Sequence, residues 1–352
     1  MKPLLTRLAA MSGALAVTAM AAPGAQAAEP VEIKISYQPA VYWALPFYVA
    51  AEKGWWEEMG LKPVFSVFPA GVPQMAASAS KSWDVGSTGS VPAILGFHRF
   101  GIKTIGISND ESQGNALVVS KRVYDGLKAN PKDLKGKTIV LTANSTGDYA
   151  VQSCLRKFGL DKSDVMLKNM GQAEIISAVS SGNADYSGVW APNIYTLEER
   201  AGAKLLCSGK DAGAYVPGAL VARGDYAKEH PENVAKFLAV YLHAWNWLNA
   251  NRKEAIELME KFYSQGGVKI SEASMNKEFD TRPTYDLAQQ IKLFDRAGGP
   301  SEADKWFSAI GEFMKGSGAI AKVQPAEEYM DGSFLKRVAD DPKLSAYANG
   351  KN

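Results

Sequence analysis

The sequence predicts an α/β protein in which two lobes of similar construction enclose a cleft. The first observation is a strand–helix–strand beginning, which is the usual start of a parallel sheet covered by helices. The second is an approximate repeat of one helix–turn–strand–helix unit about a hundred residues further along the chain. The third is the length of 352 residues, which corresponds to about two domains.

The first 27 residues have the pattern of a secretory signal peptide. Lys2 and Arg7 give a positive start, an apolar run follows over residues 8–22, and Ala25 and Ala27 are the small residues that a signal peptidase recognises. The apolar run is too short and too rich in alanine for a typical membrane-spanning helix, although an uncleaved anchor is the alternative. We therefore expect cleavage after Ala27 and export of the mature chain.

Charge and cysteine content exclude several classes of protein. The chain has 39 Lys and Arg against 37 Asp and Glu, and removal of Lys2 and Arg7 with the signal leaves a balanced mature chain, because Glu29 is the first acidic residue. A balanced chain argues against nucleic acid as a partner. Two cysteines and three histidines argue against a structural zinc site, and we expect no metal and no cofactor. Cys154 and Cys207 either form a disulfide or are two buried apolar side chains.

The chain begins with a strand, a helix and a second strand. Residues 31–37 alternate between apolar and polar side chains, as a strand does. Residues 46–59 have a helical pattern that Gly60 would close, and residues 62–68 form the next strand.

The repeat relates two units that each run from a helix through a short turn to a strand and a second helix. In the first unit the helix covers residues 75–81, and Pro92 lies at the start of the second helix. In the second unit the helix covers residues 174–180, and Pro192 lies at the corresponding place. Proline is well tolerated in a first helical turn. The likeness is too loose to prove duplication, and it suggests two lobes built alike.

The second lobe has its own strand–loop–helix, and the C-terminal third of the chain is mainly helical. Residues 138–141 form the strand, residues 144–147 a small polar loop, and residues 148–158 the helix. After residue 231 one apolar face recurs at spacings of three and four, which is typical of core packing. Its members are Val234, Phe237, Leu238, Tyr241, Trp245 and Leu248. The polar tail from residue 339 is expected to be weakly ordered.

No low-complexity linker separates two consecutive domains. We therefore expect the chain to cross between the lobes twice, near residues 112–116 and again near residues 214–219. The first lobe would then comprise residues 28–115 and 218–352, and the second lobe residues 116–217.

Four loops lie where a predicted strand ends and a helix begins, which is where open α/β sheets bind ligands. Two of them place Ser, Thr and Gly immediately before a helix, where free backbone N–H groups and the helix dipole favour an anion. The same residue types also serve as ordinary helix N-caps, so each loop alone has two interpretations. The candidate anion-binding residues are Ser87, Thr88, Gly89, Ser90, Asn144, Ser145 and Thr146.

The other two loops are aromatic. A ring beside a strand end usually belongs to the core, whereas a ring in a loop can form a wall for the apolar body of a small ligand. Tyr42 and Trp43 fall in a predicted loop rather than on a periodic face, which favours the second interpretation. The candidate wall residues are Tyr37, Tyr42, Trp43, Tyr149 and Trp190.

Enzymatic interpretations lack the necessary residues. A serine nucleophile needs a histidine within reach, and His98, His230 and His243 all lie outside the four loops. The sequence contains no nucleophile-elbow, zincin or phosphate-loop pattern. We therefore expect a binding protein and no catalytic residues.

Short motifs follow one another along the whole mature chain, each weak alone but specific in order and spacing. They are Tyr37-Gln38-Pro39, Ala51 to Trp56, Asp84 to Pro92, Asp133 to Lys137, Asp185 with Val189 to Pro192, and Thr284-Tyr285. In this order the motifs resemble the substrate-binding proteins of the taurine, alkanesulfonate and nitrate group of ABC importers.

The resemblance implies a two-lobed periplasmic binding protein that traps a small organic anion, an organosulfonate such as taurine or an alkyl or aryl sulfonate, between its lobes. It also implies a monomer located in the periplasm, with the membrane permease subunits of an ABC importer as partners and with no nucleic acid. Carried over by position, the cleft would be lined by Gln38, Ser87 to Ser90, Ser145, Thr146, Tyr149, Trp190 and Pro192.

The resemblance also bears on the ligand. Taurine-binding members place a carboxylate in the strand that returns to the first lobe, where it meets the amine of the ligand. In this chain the matching region offers Gly218 and no acid, which argues against taurine itself. Asp148 can serve an amine or cap a helix, and the bulk of Tyr42 and Trp43 suits an aryl or alkyl group.

Three alternatives stay open at the level of sequence. In the first, the ligand is another small anion or an aromatic acid. In the second, the protein is a periplasmic sensor that works with a membrane receptor. The third is an enzyme of the thiamin-precursor type, which shares this fold, but the secretory signal and the positions of the histidines argue against it.

Overall fold

The computed structural model describes residues 29–351, so the predicted signal peptide over residues 1–27 lies outside the described residues. Ten strands form two separate five-stranded sheets. The strands are β1 Val31–Tyr37, β2 Leu61–Val67, β3 Val85–Gly89, β4 Lys103–Asp110, β5 Asn115–Val119, β6 Thr138–Leu141, β7 Met166–Asn169, β8 Tyr186–Trp190, β9 Lys204–Ser208 and β10 Pro217–Ala222.

Sixteen α-helices occur within the described residues. They are α1 Val41–Glu52, α2 Trp55–Glu58, α3 Gly71–Ala77, α4 Ser90–Phe100, α5 Lys121–Ala129, α6 Thr146–Lys157, α7 Gln172–Ser180, α8 Asn193–Ala201, α9 Gly224–Glu229, α10 Pro231–Ala250, α11 Arg252–Gln265, α12 Glu272–Thr281, α13 Leu287–Leu293, α14 Glu302–Ser317, α15 Ser333–Asp340 and α16 Pro342–Ala348. Single 3₁₀ turns cover Ser78–Ser80, Pro131–Leu134 and Ala326–Glu328. Between residues 29 and 351 we find no helix with the length and apolar character that a membrane span requires.

The two sheets have the same design. The first has the order β2-β1-β3-β10-β4, and β10 runs antiparallel to both of its neighbours. The second has the order β7-β6-β8-β5-β9, and β5 is its antiparallel strand. In each sheet the antiparallel strand is the one by which the chain enters from the other lobe. The prediction of two α/β lobes built alike is confirmed.

The chain crosses between the sheets twice. Residues 111–114 connect β4 to β5, and residues 209–216 connect β9 to β10. Both connections overlap the crossings that the sequence predicts. The division of the chain after residues 115 and 217 stays a prediction.

The start of α1 differs from the sequence expectation. The predicted helix over residues 46–59 is two helices, and the first begins at Val41, so that Pro46 lies inside it. A proline at this position leaves the carbonyl of Tyr42 without its intrahelical donor. The hydroxyl of Tyr241 lies 3.4 Å from that carbonyl and is shared with the carbonyl of Ser108 at 3.1 Å. Gly54, with φ 74°, separates α1 from α2.

The polar tail is ordered, contrary to the expectation. It contains α16, which packs on α10 and buries Leu344, Tyr347 and Ala348. The ring of Tyr347 stacks on His243 with 4.4 Å between ring centroids, and its hydroxyl donates to Glu58 Oε2 at 2.9 Å. Three apolar residues at helical spacing are enough for one short helix to pack on its neighbour. The overall composition of the segment is polar, so the prediction did not include this apolar face.

The two cysteines form a disulfide. Cys154 of α6 and Cys207 of β9 are both buried, and their Cα atoms lie 6.0 Å apart. The bond fastens the helix that opens at the lobe junction to the edge strand of the second sheet. Of the two alternatives that the sequence left open, pairing is the one that the structure contains.

Candidate functional site

The two lobes meet where β3 ends and α6 begins. Gly89, the last residue of β3, pairs with Gly218 of β10. A Cβ atom placed on Gly89 would lie only 2.6 Å from Cγ2 of Thr146, the first residue of α6. The missing side chain therefore allows the lobes to touch, and the structure has a closed cleft.

Aromatic and polar contacts hold the closed arrangement on several sides. Tyr149 and Trp190 belong to the second lobe by sequence, yet both pack into the apolar cluster that the first lobe supplies. Tyr149 lies 4.8 Å from Phe313 of α14, measured between ring centroids. Glu199 of α8 accepts hydrogen bonds from the hydroxyls of two serines that open α12. These are Ser271 at 2.7 Å and Ser274 at 2.6 Å.

A buried network of glutamines supports the β3 side of the cleft. Gln38 donates to Gln74 and also lies 3.2 Å from Thr88 Oγ1. Gln74 in turn donates to Ser36 Oγ at 2.7 Å and to the carbonyl of Ser87 at 3.2 Å. The hydroxyl of Thr88 is therefore engaged by protein groups. Gln74 was not predicted, because it lies in the first turn of α3, outside the four candidate loops.

Two hydroxyl groups at the junction of β3 and α4 have no protein partner. Ser87 and Ser90 are completely buried, and neither Oγ atom makes a hydrogen bond within the described part of the chain. Helix α4 also begins without a side-chain cap. The capping interpretation therefore does not apply to this loop, and its hydroxyls and first backbone N–H groups are available to a ligand.

The loop before α6 behaves differently. The hydroxyl of Ser145 accepts from the N–H of Asp148 at 3.1 Å and donates to the carbonyl of Thr142 at 2.7 Å, which is ordinary N-capping. Asn144 has φ 57° and donates its N–H to Asp148 Oδ2 at 3.0 Å, while Gln152 donates to Oδ1 at 2.7 Å. Burial raises the pKa of Asp148. This loop thus offers a ligand the side chain of Thr146 and the start of the helix, not the hydroxyl of Ser145.

The first crossing segment brings a carboxylate into the cleft. Glu111 is fully buried, its Oε1 accepts from Nε1 of Trp43 at 2.6 Å, and its Oε2 accepts from Nδ2 of Asn115 at 3.2 Å. A Cβ atom on Gly218 would collide with Glu111 Oε1 and would lie 2.7 Å from Oδ1 of Asn109. The returning strand itself contains no acid, as expected, but Glu111 lies against its Gly218. Glu111 comes from the other crossing segment, so local comparison of the returning strand did not find it.

A buried arginine lies beside the same crossing segment. Nη1 of Arg282 donates to Oε1 of Glu278 at 2.6 Å, and its guanidinium lies 4.4 Å from the centre of the Tyr42 ring. Nε of Arg282 has no partner among the described residues and would lie 3.0 Å from a Cβ atom on Gly114. Arg282 was not predicted, because it follows a helix and no predicted strand ends near it.

Tyr42 and Trp43 lie in the first turn of α1, not in a loop as expected. Tyr42 stacks on Trp245 with 4.6 Å between ring centroids and donates its hydroxyl to the carbonyl of Glu278 at 3.0 Å. It therefore belongs to the core of the first lobe, behind Arg282. Trp43 reaches Glu111 at the crossing segment. Tyr37, the remaining aromatic candidate, is partly buried and packs on Phe47 and Phe65.

Trp190 and Pro192 lie at the end of β8. Trp190 is buried, and its Cε3 atom would lie 3.4 Å from a Cβ atom on Gly147. Pro192 follows a cis peptide bond and occupies the N-cap position of α8. The N–H of Ala191 donates to the carbonyl of Gly114 at 2.9 Å, which ties this strand end to the first crossing segment.

Buried polar atoms without a partner concentrate at this junction. Of eight such atoms in residues 29–351, five belong to the cleft and its crossing segment: Ser87 Oγ, Ser90 Oγ, Asn109 Nδ2, Asn115 Oδ1 and Arg282 Nε. Unpaired buried polar groups are rare in native proteins and call for a missing partner. A groove of about 620 Å³ beside Tyr215 and Trp306 contains none of these atoms in its lining. The described residues also contain no cluster of His, Cys, Asp or Glu that can hold a metal ion.

Two α/β lobes joined by two crossing segments, with unpaired polar groups buried between them, define the class of two-lobed solute-binding proteins. A family model described as NMT1/THI5 like matches residues 43–255, and the chain belongs to that family.

Similar proteins agree with this assignment. A putative aliphatic sulfonates-binding protein of Bacillus subtilis (strain 168) is 31% identical over 88% of this chain and 89% of its own length. The taurine-binding periplasmic protein of Escherichia coli (strain K12) is 30% identical over 60% of this chain and 64% of its own length. The solved alkanesulfonate-binding protein SsuA from Xanthomonas axonopodis pv. citri, bound to MOPS, has a TM-score of 0.71 at 22% identity and covers 87% of this chain and 99% of its own.

These comparisons confirm the predicted fold and the predicted resemblance. They also confirm the prediction of a binding protein rather than an enzyme, because the relatives named above are binding proteins.

Proposed function

We propose that the chain is the periplasmic solute-binding component of an ABC importer and that it captures a small organosulfonate, such as an alkyl or aryl sulfonate or taurine. The observation that carries this proposal is the pair of unpaired hydroxyls, Ser87 and Ser90, buried beside the point where the lobes touch. A buried hydroxyl without a partner destabilises a protein by about 1–3 kcal/mol, and a ligand that accepts hydrogen bonds removes that cost.

The chemistry of the site favours an anion with several acceptor oxygens. A sulfonate accepts hydrogen bonds at three oxygens and remains ionised at neutral pH. The hydroxyls of Ser87 and Ser90 and the first N–H groups of α4 and α6 are donors, and both helix dipoles add positive potential. In this proposal the rings of Trp190 and Tyr149, both buried at the lobe junction, cover the carbon chain of the ligand. The names of the relatives support the same ligand class.

The proposed mechanism is closure of the two lobes. A ligand that contacts β3 of one lobe and α6 of the other stabilises the closed form, and it shifts an existing equilibrium between open and closed states. The permease subunits in the membrane would recognise the closed form. We propose a monomer that carries out this task in the periplasm after removal of residues 1–27.

Thermal unfolding of the mature protein with a ligand panel tests the proposal. The panel contains taurine, alkanesulfonates, arylsulfonates, aromatic carboxylates, nitrate and bicarbonate. A ligand at about 100 times its Kd adds about 2.7 kcal/mol to the free energy of unfolding, which raises the Tm by several degrees. We expect a shift with sulfonates. Absence of any shift, in protein unfolded and refolded to remove bound ligand, would overturn the proposal.

The substitution Ser90→Ala tests the contribution of one of the unpaired hydroxyls to ligand binding. A hydrogen bond to a charged group contributes about 1.5–3 kcal/mol, so we expect the Kd for the best sulfonate to rise about 10- to 100-fold. Ser333→Ala, which changes an exposed serine at the start of α15, is the matched control and should leave the Kd unchanged. Equal affinities of the two variants, measured by isothermal titration calorimetry, would remove Ser90 from the site.

A further inference from the structure

An ionisable carboxyl group stands in the cleft that we propose to bind an anion. Glu111 is completely buried and lies in contact with Gly218, which pairs with Gly89 at the point of lobe contact. On its other side it bonds Asn115, which pairs with Trp190 in the second sheet. Glu111 is therefore at the floor of the cleft, between the two sheets.

The groups that face Glu111 compensate a negative charge there only in part. Arg282 is the cation beside it, but Arg282 is already bonded to Glu278 of α12. Asp110, the preceding residue, adds repulsion. The remaining titratable neighbour is an uncharged tyrosine, Tyr241 of α10. With Arg282 and Glu278 neutralising each other, Glu111 contributes one unbalanced negative charge when it is ionised.

Burial raises the pKa of Glu111 to about 7, although Arg282 and the hydrogen bonds from Asn115 and Trp43 oppose the rise. Without ligand the carboxyl is therefore close to half protonated at neutral pH. An anion placed in the same cleft disfavours the ionised form further, because like charges in a region of low dielectric constant repel. A sulfonate stays ionised, so the proton must go to the protein.

We propose that Glu111 takes up a proton when the anion binds, so that the site selects an anion together with one proton. This inference rests on the proposed function and adds a specificity-determining residue to it. The same carboxyl group explains a preference between ligands: an anion that carries no positive charge needs the proton, whereas a ligand with its own ammonium group would make the proton unnecessary.

The sign of the pH dependence follows directly. Anion binding makes the pKa of Glu111 higher than in the free protein, so affinity is greatest below pH 7 and falls as the pH rises above it. In the range between the free and the bound pKa, the Kd rises up to about tenfold per pH unit. Over that range binding takes up close to one proton per ligand.

Calorimetric titration with ethanesulfonate at pH 6, 7.2 and 8.5, in two buffers with different ionisation enthalpies, measures the Kd and the number of protons taken up per ligand. We expect proton uptake at pH 8.5 and a Kd at least tenfold higher than at pH 6. Glu111→Gln should bind ethanesulfonate at pH 8.5 as tightly as the unchanged protein does at pH 6, with no proton uptake. Glutamine has the shape of glutamate, and its side-chain oxygen can still accept from Nε1 of Trp43, so we expect this variant to fold.

Asp304→Asn is the matched control, since Asp304 is a buried carboxyl group outside the cleft that forms an ion pair with Arg296. This variant should keep the pH dependence of the unchanged protein. The inference is overturned by a Kd for ethanesulfonate that does not change with pH, by a dependence that persists in Glu111→Gln, or by one that disappears in Asp304→Asn. Taurine bound without proton uptake, with ethanesulfonate failing to bind, would also overturn it in favour of an ammonium contact.

A measurement without substitution covers the case in which Glu111→Gln fails to fold. The indole N–H resonance of Trp43, which donates to Glu111, reports the protonation of the carboxyl group. Its titration midpoint should lie near pH 7 in the free protein and move upward with saturating ethanesulfonate; an unchanged midpoint overturns the inference. If no sulfonate binds at any pH, it is the proposed function that fails, which distinguishes the two outcomes.

Discussion

Arg282→Met is expected to lower the free energy of unfolding by about 3–5 kcal/mol at pH 8, because it leaves a buried carboxylate without its cation. Arg282 and Glu278 are 2% and 0% exposed, and 2.6 Å separates Nη1 from Oε1. The hydroxyl of Tyr263 holds the other oxygen of Glu278 at 2.9 Å but cannot neutralise the charge. Urea denaturation of the ligand-free protein measures the loss.

The loss should shrink as the pH falls. Burial already raises the pKa of Glu278, and removal of Arg282 raises it further. A carboxyl group with a raised pKa in the folded state binds more protons there than in the unfolded state, so the destabilisation is fully present above the folded-state pKa and is lost as the pH falls from it to the lower unfolded-state pKa. The double variant Arg282→Met with Glu278→Gln should recover much of the stability at pH 8.

Arg252→Met is the matched control for this prediction. Arg252 forms an ion pair with Asp280 at 2.9 Å, but its side chain is 41% exposed, so we expect a loss below about 1 kcal/mol. If Arg282→Met lowered the free energy of unfolding no more than Arg252→Met does, the buried pair of Arg282 and Glu278 would not be a main contribution to stability.

Gly89→Ala is expected to weaken sulfonate binding by at least about 100-fold, which corresponds to about 2.7 kcal/mol. The added Cβ atom would lie 2.6 Å from Cγ2 of Thr146, so the lobes cannot reach the closed arrangement. The open form is not affected by that clash, and the protein should fold normally. Calorimetry with ethanesulfonate gives the Kd, and thermal unfolding without ligand checks the fold.

A second substitution should restore binding in this variant. Thr146→Ser removes Cγ2 and retains the hydroxyl, which would lie 3.2 Å from the new Cβ atom. The double variant should therefore bind far better than Gly89→Ala alone. Gly126→Ala, which adds a methyl group to open space on α5, is the control and should bind normally. Failure of Thr146→Ser to restore binding would mean that the Gly89–Thr146 contact does not limit closure.

Sequence patterns predicted the parts of this protein that depend on local periodicity and on repetition. The repeat of two helix–turn–strand–helix units correctly indicated two sheets of one design, and both crossings fell near their predicted places. Periodicity failed where distant packing decides the outcome. The hydroxyl of Tyr241 lies beside the carbonyl that Pro46 leaves without an intrahelical donor, and α10 supplies the surface on which α16 packs.

The candidate site also combines features that the sequence predicts with features that depend on packing between distant residues. Ser90 and Ser145 each lie at the start of a helix, but Ser145 caps its helix while the hydroxyl of Ser90 has no partner, a difference that depends on three-dimensional geometry and not on residue type. Glu111 and Arg282 were not predicted, since one lies in a short connection and the other after a helix 171 positions further along the chain. Only the folded chain brings them together beneath the strand ends.

Small-angle X-ray scattering of the mature protein with and without ethanesulfonate tests the central claim, that a small sulfonate closes the two lobes upon each other. We predict that saturating ligand reduces the radius of gyration and brings the scattering profile to that of the closed structure described above. The Gly89→Ala variant should remain in the open form under the same conditions. A profile that does not change with ligand, or a variant that contracts as the unchanged protein does, would contradict the account.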